Sequence, residues 1–164
     1  MRNFVGCMFI VLFLVWFIMR CVFGIQLQIA VTGHLKRAAD ANTISLAQKE
    51  LTTALQEIER RGLKTGYTSI FFQTPDEDIE FWYNNLSSAS KELEILSPDA
   101  SQLEKSNILM KLRETLLDKG ENGAQHVTCP DGLSIYPRNV FFAIWGLISL
   151  LGAVGYFMVI FFDN

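Results

Sequence analysis

Residues 4–19 read FVGCMFIVLFLVWFIM, an apolar run without a charged side chain. Apolar residues continue beyond Arg20, so a bilayer-spanning helix of about 20 residues fits here if Arg20 lies near an interface and its side chain extends to the headgroups. Arg2 before an apolar core is also typical of a secretory signal peptide, but no small-residue cleavage site follows. The sequence therefore predicts an uncleaved transmembrane helix within residues 1–30.

A second apolar run, VFFAIWGLISLLGAVGYFMVIFF, occupies residues 140–162. It is long enough to cross a bilayer with some tilt, and it predicts a second transmembrane helix within residues 138–164. We expect no output domain after it, because only Asp163 and Asn164 follow.

Small residues recur along one face of this second helix. Gly146, Ser149 and Ala153 follow each other at three- and four-residue steps, with Gly152 beside them. Such an arrangement lets another helix approach closely. We predict that these four residues pack against a larger membrane protein or a second copy of the chain.

The charged residues are concentrated between the two runs, in residues 31–137. Half of the 164 residues are hydrophobic and 19% are charged, and 14 Lys and Arg are interleaved with 17 Asp and Glu for a net charge of −3. This balance offers no basic stripe for nucleic acid. Membrane lipids are the expected partners of the apolar runs.

Apolar side chains recur at helical spacing through this middle region. The pattern predicts helices at about 36–61, 75–96 and 101–119, followed by a turn-rich segment at 120–137. Three amphipathic helices joined by short turns are typical of an antiparallel bundle. The predicted fold class is an all-α membrane protein in which two transmembrane helices flank an antiparallel helical bundle.

Local patterns predict where these elements begin and end. No proline interrupts residues 26–61, so the first span would run on as one helix about 85 Å long. Capping boxes at Thr74 with Glu77 and at Ser101 with Glu104 indicate two helix starts. The segments 126–128 and 133–136 flank a Cys-Pro-Asp-Gly turn and predict a small β-hairpin before the second span.

One connector is unusually apolar. Tyr67, Ile70, Phe71 and Phe72 lie in a segment where a solvated turn would be polar. Two interpretations remain open. These side chains either fold back as a cap on the bundle or form a docking surface for a partner.

Sequence motifs for catalysis are missing. We find no glycine-rich phosphate loop, no G-x-S-x-G elbow, no H-E-x-x-H helix and no zinc-type cysteine spacing. We therefore expect no enzymatic activity, no cofactor and no metal. Cys21 and Cys129 would form a disulfide if both faced an oxidising compartment.

Two rules disagree on the side of the membrane that holds the domain. Basic residues flanking the spans place it in the cytoplasm, but that rule weakens for loops longer than about 60 residues. A short N-terminal tail before an apolar core acts as a signal anchor that exports the domain C-terminal to it. We expect an exported domain on a bacterial inner (plasma) membrane and keep the cytoplasmic alternative.

The stretches LKRAADANTISLAQKELTTALQEIE (residues 35–59) and TGYTSIFFQTPDEDIEFWYNNL (residues 65–86) resemble small two-span bacterial membrane proteins without an assigned activity. The resemblance implies two spans and no catalytic residues. The layout also resembles the sensory half of chemoreceptors, but those proteins carry a cytoplasmic output module that we do not expect here.

Two functions fit these observations. The first is a non-enzymatic accessory, assembly or scaffold subunit that acts through lateral helix contacts with another membrane protein or its own copy. The second is a ligand-sensing module whose output domain is on another chain. The sensing function requires a pocket between the bundle helices.

Overall fold

The structure is mostly helical (74%), with a small antiparallel two-strand sheet. This computed structural model describes residues 2–97, 99–119 and 123–162, so residues 120–122 of the predicted turn-rich segment lie outside the described part. In chain order the elements are α1 (Arg2–Leu27), α2 (Gly33–Ala39), α3 (Ile44–Arg60), α4 (Ile79–Ile95), α5 (Gln102–Leu116), β1 (Leu117–Lys119), β2 (Gln125–Val127) and α6 (Asn139–Phe162).

Two helices are long and apolar enough to cross a membrane, one formed by Phe4–Ala39 and the other by Asn139–Phe161. The first includes α1, a π-helical segment at Gln28–Thr32 and α2, which follow one another without a break. The apolar helix therefore continues directly into the polar domain, as predicted. Helix α6 runs antiparallel to α1, since Gly6 meets Tyr156 while Gly146 meets Trp16.

The predicted helix over residues 36–61 is interrupted, and no 85 Å helix forms. The chain leaves the helical conformation after Ala39, and α3 begins only at Ile44. The Thr43 hydroxyl accepts a hydrogen bond from the Leu46 backbone N–H at 3.3 Å, which caps the new helix. The chain reverses here because α3 can then bury its apolar stripe against α2, and that gain exceeds the propensity for one straight helix.

Helix α4 begins later than predicted. Thr74 donates to the Glu77 carboxylate at 2.7 Å, but the turn that they close is a 3₁₀ helix at Pro75–Glu77. The α-helix itself is capped by Asp78, which accepts from two backbone N–H groups. The second predicted box is confirmed, because Ser101 and Glu104 bond reciprocally at the start of α5.

The structure contains a β-hairpin, but one of its two strands is not the predicted one. Gln125–Val127 pairs antiparallel with Leu117–Lys119, in the register Leu117 with Val127. Residues 133–135 form a 3₁₀ turn instead, with Leu133 and Ile135 buried. Helix α5 accordingly stops at Leu116, short of the predicted residue 119.

One apolar core joins the bundle to the base of α1. It begins at Leu27 and Val31 and continues between the helices of the domain. Its largest fully buried apolar side chains are those of Leu35, Leu51, Ile58, Ile79, Leu86 and Leu116. Because the core includes Leu27 at the end of α1 and Val31 in the π-helical segment, the domain is packed onto the apolar helix that carries it.

Candidate functional site

The small-residue face of α6 is occupied by α1 of the same chain. A Cβ atom added at Gly146 would lie 2.6 Å from the Trp16 ring, and one added at Gly152 would collide with the Phe9 ring. Ser149 is 1% exposed, and Ala153 is also buried. In the structure α1, rather than an external partner, covers this face, because its large aromatic rings fill the space above the glycines. Packing of these residues against another chain stays a prediction.

Two polar side chains in this helix pair, Trp16 and Ser149, have hydrogen-bond partners within it. The Trp16 ring N–H donates to the Phe142 carbonyl at 2.7 Å. The Ser149 hydroxyl lies 2.8 Å from the Trp145 carbonyl, one turn earlier in its own helix. A serine bonded back to its helix can lie in an apolar environment without an unpaired donor.

The outer faces of α1 and α6 expose many large apolar side chains. The most exposed on each helix include Phe4, Val11, Phe17, Ile18, Phe141, Leu147, Leu151 and Phe157. Contiguous apolar surface of this extent is rare on proteins surrounded by water. These faces fit a membrane environment.

Residues 66–78 form a closed loop between α3 and α4, which we call the aromatic loop. The backbone of Tyr67 pairs with that of Asp78, and the Ile79 N–H donates to the Gly66 carbonyl at 2.9 Å. The Tyr136 hydroxyl donates to the Thr65 carbonyl at 3.0 Å. The loop is therefore fixed at both ends and is tied to the segment that precedes α6.

The aromatic side chains at the tip of this loop point away from the bundle. Phe71 is 88% exposed and Phe72 is 83% exposed, while Tyr67 and Ile70 are less so. The interpretation of these residues as a cap on the bundle is therefore wrong. The other interpretation, a docking surface for a partner, stays a prediction.

An open groove of about 440 Å³ runs between the aromatic loop, α1 and the start of α6. Its charged lining residues are Arg20, Glu77 and Asp131. Three buried oxygen atoms in residues of the same groove have no hydrogen-bond partner among the described residues: Thr68 Oγ1, Ser69 Oγ and Asn139 Oδ1. Sequence patterns could not reveal this groove, because its residues come from four separate parts of the chain.

A buried carboxylate links α2 to α3. Glu50 Oε2 lies 2.6 Å from His34 Nδ1, and Glu50 Oε1 lies 2.6 Å from Arg37 Nη2. The hydrogen bond with His34 lowers the pKa of Glu50, against the opposing effect of burial, and the charge of Arg37 adds to the lowering. Since the chain reversal after Ala39 was not predicted, this cluster was missed from the sequence.

A second carboxylate lies in the last turn of α3. Glu57 accepts hydrogen bonds from Arg60 at 2.6 Å and from Arg61 at 2.8 Å. Hydrogen bonds from Arg60 and then Arg61 lower the pKa of Glu57 to about 2. Gly62 follows in the left-handed conformation (φ 71°), which a glycine adopts without strain, and the helix ends before it.

The three cysteines are free thiols. The predicted disulfide between Cys21 and Cys129 is absent from the structure, with Cys21 exposed on α1 and Cys129 partly covered. Burial, with a smaller effect of the Asp131 charge, raises the pKa of Cys129 to about 12. Cys129 is therefore a poor nucleophile.

Among the described residues, no group of three or more His, Cys, Asp or Glu side chains could hold a metal ion. A cavity of about 150 Å³ lies between α4 and α5. Comparison with known proteins found no match to a protein-family model, to a curated protein or to a solved structure.

Proposed function

We propose that the chain is a non-enzymatic membrane protein, an accessory, assembly or scaffold subunit that α1 and α6 anchor as a transmembrane hairpin. One observation carries the proposal: the two helices bury their small residues against each other and leave large apolar side chains along their outer faces. In a bilayer, lipid would cover those side chains and their apolar surface would not be exposed to water.

Association with another membrane protein then uses a different surface from the one predicted. Because α1 covers Gly146 and Gly152, a lateral partner would contact the outer faces of the helix pair or the bundle. The domain is proposed to lie on the exported side of a bacterial plasma membrane, because a short N-terminal tail before an apolar core acts as a signal anchor.

Purification in mild detergent from native membranes, followed by mass spectrometry of the co-purified proteins, tests the accessory function. We expect a second membrane protein, or a homo-oligomer, at a stoichiometric level. A protein that emerges alone and monomeric would contradict the proposal.

The sensing alternative depends on the cavity between α4 and α5, whose lining includes Glu92 and Lys111. Its volume of about 150 Å³ is below the roughly 300–1,000 Å³ of most small-molecule pockets. This cavity admits only a very small ligand, and a larger but open recess of about 530 Å³ lies beside it, between the end of α4 and the start of α5.

A further inference from the structure

The groove beside the aromatic loop lies next to the domain-side ends of the apolar stretches in α1 and α6. Arg20 follows the uncharged run of residues 4–19, and Asn139 is the first residue of α6. Both residues line the groove. Since about 20 helical residues cross the hydrocarbon core of a bilayer, this level corresponds to a membrane interface.

The aromatic loop is held at the same level. Ile70, Phe71 and Phe72 line the groove together with Arg20, and the two phenylalanines are the most exposed of the large apolar side chains in the loop. Two adjacent exposed aromatic rings beside the end of an apolar span are suitably placed to enter the headgroup and acyl boundary of the bilayer. Their apolar surface would continue that of the helix pair.

The polar lining of the groove carries both signs of charge. Arg20 makes no hydrogen bond or ion pair with another described residue, whereas Glu77 and Asp131 are acidic. Thr68 is 3% exposed and Asn139 is 6% exposed, and each has an oxygen without a hydrogen-bond partner in the described chain. Buried polar atoms of this kind are normally satisfied by a ligand or by water.

We propose that this groove binds the headgroup of a zwitterionic phospholipid, of the phosphoethanolamine class, while Phe71 and Phe72 enter the lipid beside it. The guanidinium of Arg20 is the donor for the phosphate. The carboxylates of Glu77 and Asp131 accept from the ammonium group. The inference rests on the proposed membrane anchoring.

The experiment introduces the photoreactive residue p-benzoyl-phenylalanine into the full chain, in place of Phe71, and identifies what the residue captures in a membrane by mass spectrometry. The same residue in place of Leu147, on the outer face of α6, reports whether the helix pair is in lipid at all. A third variant carries it in place of Ile95, which is exposed at the opposite end of α4. The samples are vesicles of equal parts phosphatidylethanolamine and phosphatidylglycerol, and native membranes.

The Ile95 control is informative because α4 leads away from the membrane side of the domain. Helix α2 continues α1, α3 returns along it through the Glu50 cluster, and α4 reverses again, with Tyr83 bonded to Glu59. We expect lipid adducts at positions 71 and 147 and none at position 95. Lipid at 147 without lipid at 71 would overturn the inference and leave the anchoring intact, whereas no lipid at 147 would remove the anchoring itself.

The identity of the captured lipid tests the headgroup. At position 71 we expect phosphatidylethanolamine to exceed phosphatidylglycerol by about threefold, the size of one partly solvated ion pair, with equal capture at position 147. Glu77→Gln combined with Asp131→Asn should remove the excess, because these carboxylates contact the ammonium group that only phosphatidylethanolamine carries. Arg20→Gln should lower the capture of both lipids, because both carry the phosphate. Equal capture at 71, an excess of phosphatidylglycerol, or a protein adduct in native membranes would each overturn the proposal.

Discussion

Glu50 shows how a residue that appears polar and exposed in the sequence becomes part of the interior. It follows Gln48 and Lys49 in α3 and lies at the edge of the apolar stripe, so its charge favours a solvated position. In the fold it is buried, with His34 and Arg37 as partners. Only the reversal between α2 and α3 brings these three side chains together, and nothing in the local sequence encodes which helix α3 packs against.

Replacing Glu50 by Gln should destabilise the domain. The substitution removes the carboxylate that His34 and Arg37 share, and we expect a loss of about 1–2 kcal/mol, since both partner side chains remain partly solvated. For a chain of this size this corresponds to about 2–8 °C in thermal midpoint. Glu94→Gln, at an exposed position of α4, is the matched control. A midpoint equal to that of the control would show that the cluster contributes nothing.

Glu57 predicts a pH dependence. Its pKa is lowered from 4.5 to about 2 in the folded chain, so its contribution to stability is fully present above pH 4.5 and is lost as the pH falls toward 2. Thermal midpoints measured across this window should fall less steeply for Glu57→Gln than for the unaltered protein. Parallel curves for the two proteins would contradict the assignment.

Among the elements, the apolar helices were the most predictable, because the hydropathy of a span is a local property of its residues. The small-residue stripe of α6 also indicated correctly that a helix approaches closely, but not which helix. Any helix with large aromatic side chains opposite the glycines would fit, and here α1 provides Phe9 and Trp16. The strand partner of Gln125–Val127 was missed for a similar reason, since Leu117–Lys119 had been assigned to the end of a helix.

The contact between α1 and α6 predicts a clear difference between two glycines. Gly146→Leu should destabilise the protein by about 1–3 kcal/mol, because the added side chain would overlap the Trp16 ring. Gly155→Leu should be tolerated, since a Cβ atom there meets nothing within 4 Å. Thermal unfolding in detergent, followed by tryptophan fluorescence, measures both variants. Equal effects would contradict an intrachain helix pair.

At the scale of the whole molecule, the domain and the helix pair are connected by packed side chains and hydrogen bonds as well as by the chain itself. The core that begins at Leu27 includes residues of α3 and α4, and Tyr136 ties the aromatic loop to the segment before α6. The arrangement was only partly predictable. Composition separates the apolar runs from the polar domain, but the place where the aromatic loop meets Arg20 depends on long-range contacts.

The native Cys129 is a poor reporter of topology in this protein. The pKa of Cys129 is raised to about 12, so its thiolate is scarce at neutral pH whichever side it faces. Ser106, in contrast, is exposed on α5, and cysteine is close to serine in size. A reporter at this position, in a chain with the three cysteines replaced by alanine, measures sidedness without that bias.

The central claim is that α1 and α6 cross the membrane, with the helical domain exported. It is tested most directly by a membrane-impermeant thiol reagent on intact cells that carry either Ser106→Cys or Asn3→Cys, the latter in the first turn of α1. We predict labelling of Ser106→Cys in intact cells and of Asn3→Cys only after permeabilisation. The reverse pattern would keep the spans and move the domain to the cytoplasm. Labelling of both positions in intact cells, or of neither, would contradict a chain that spans the membrane.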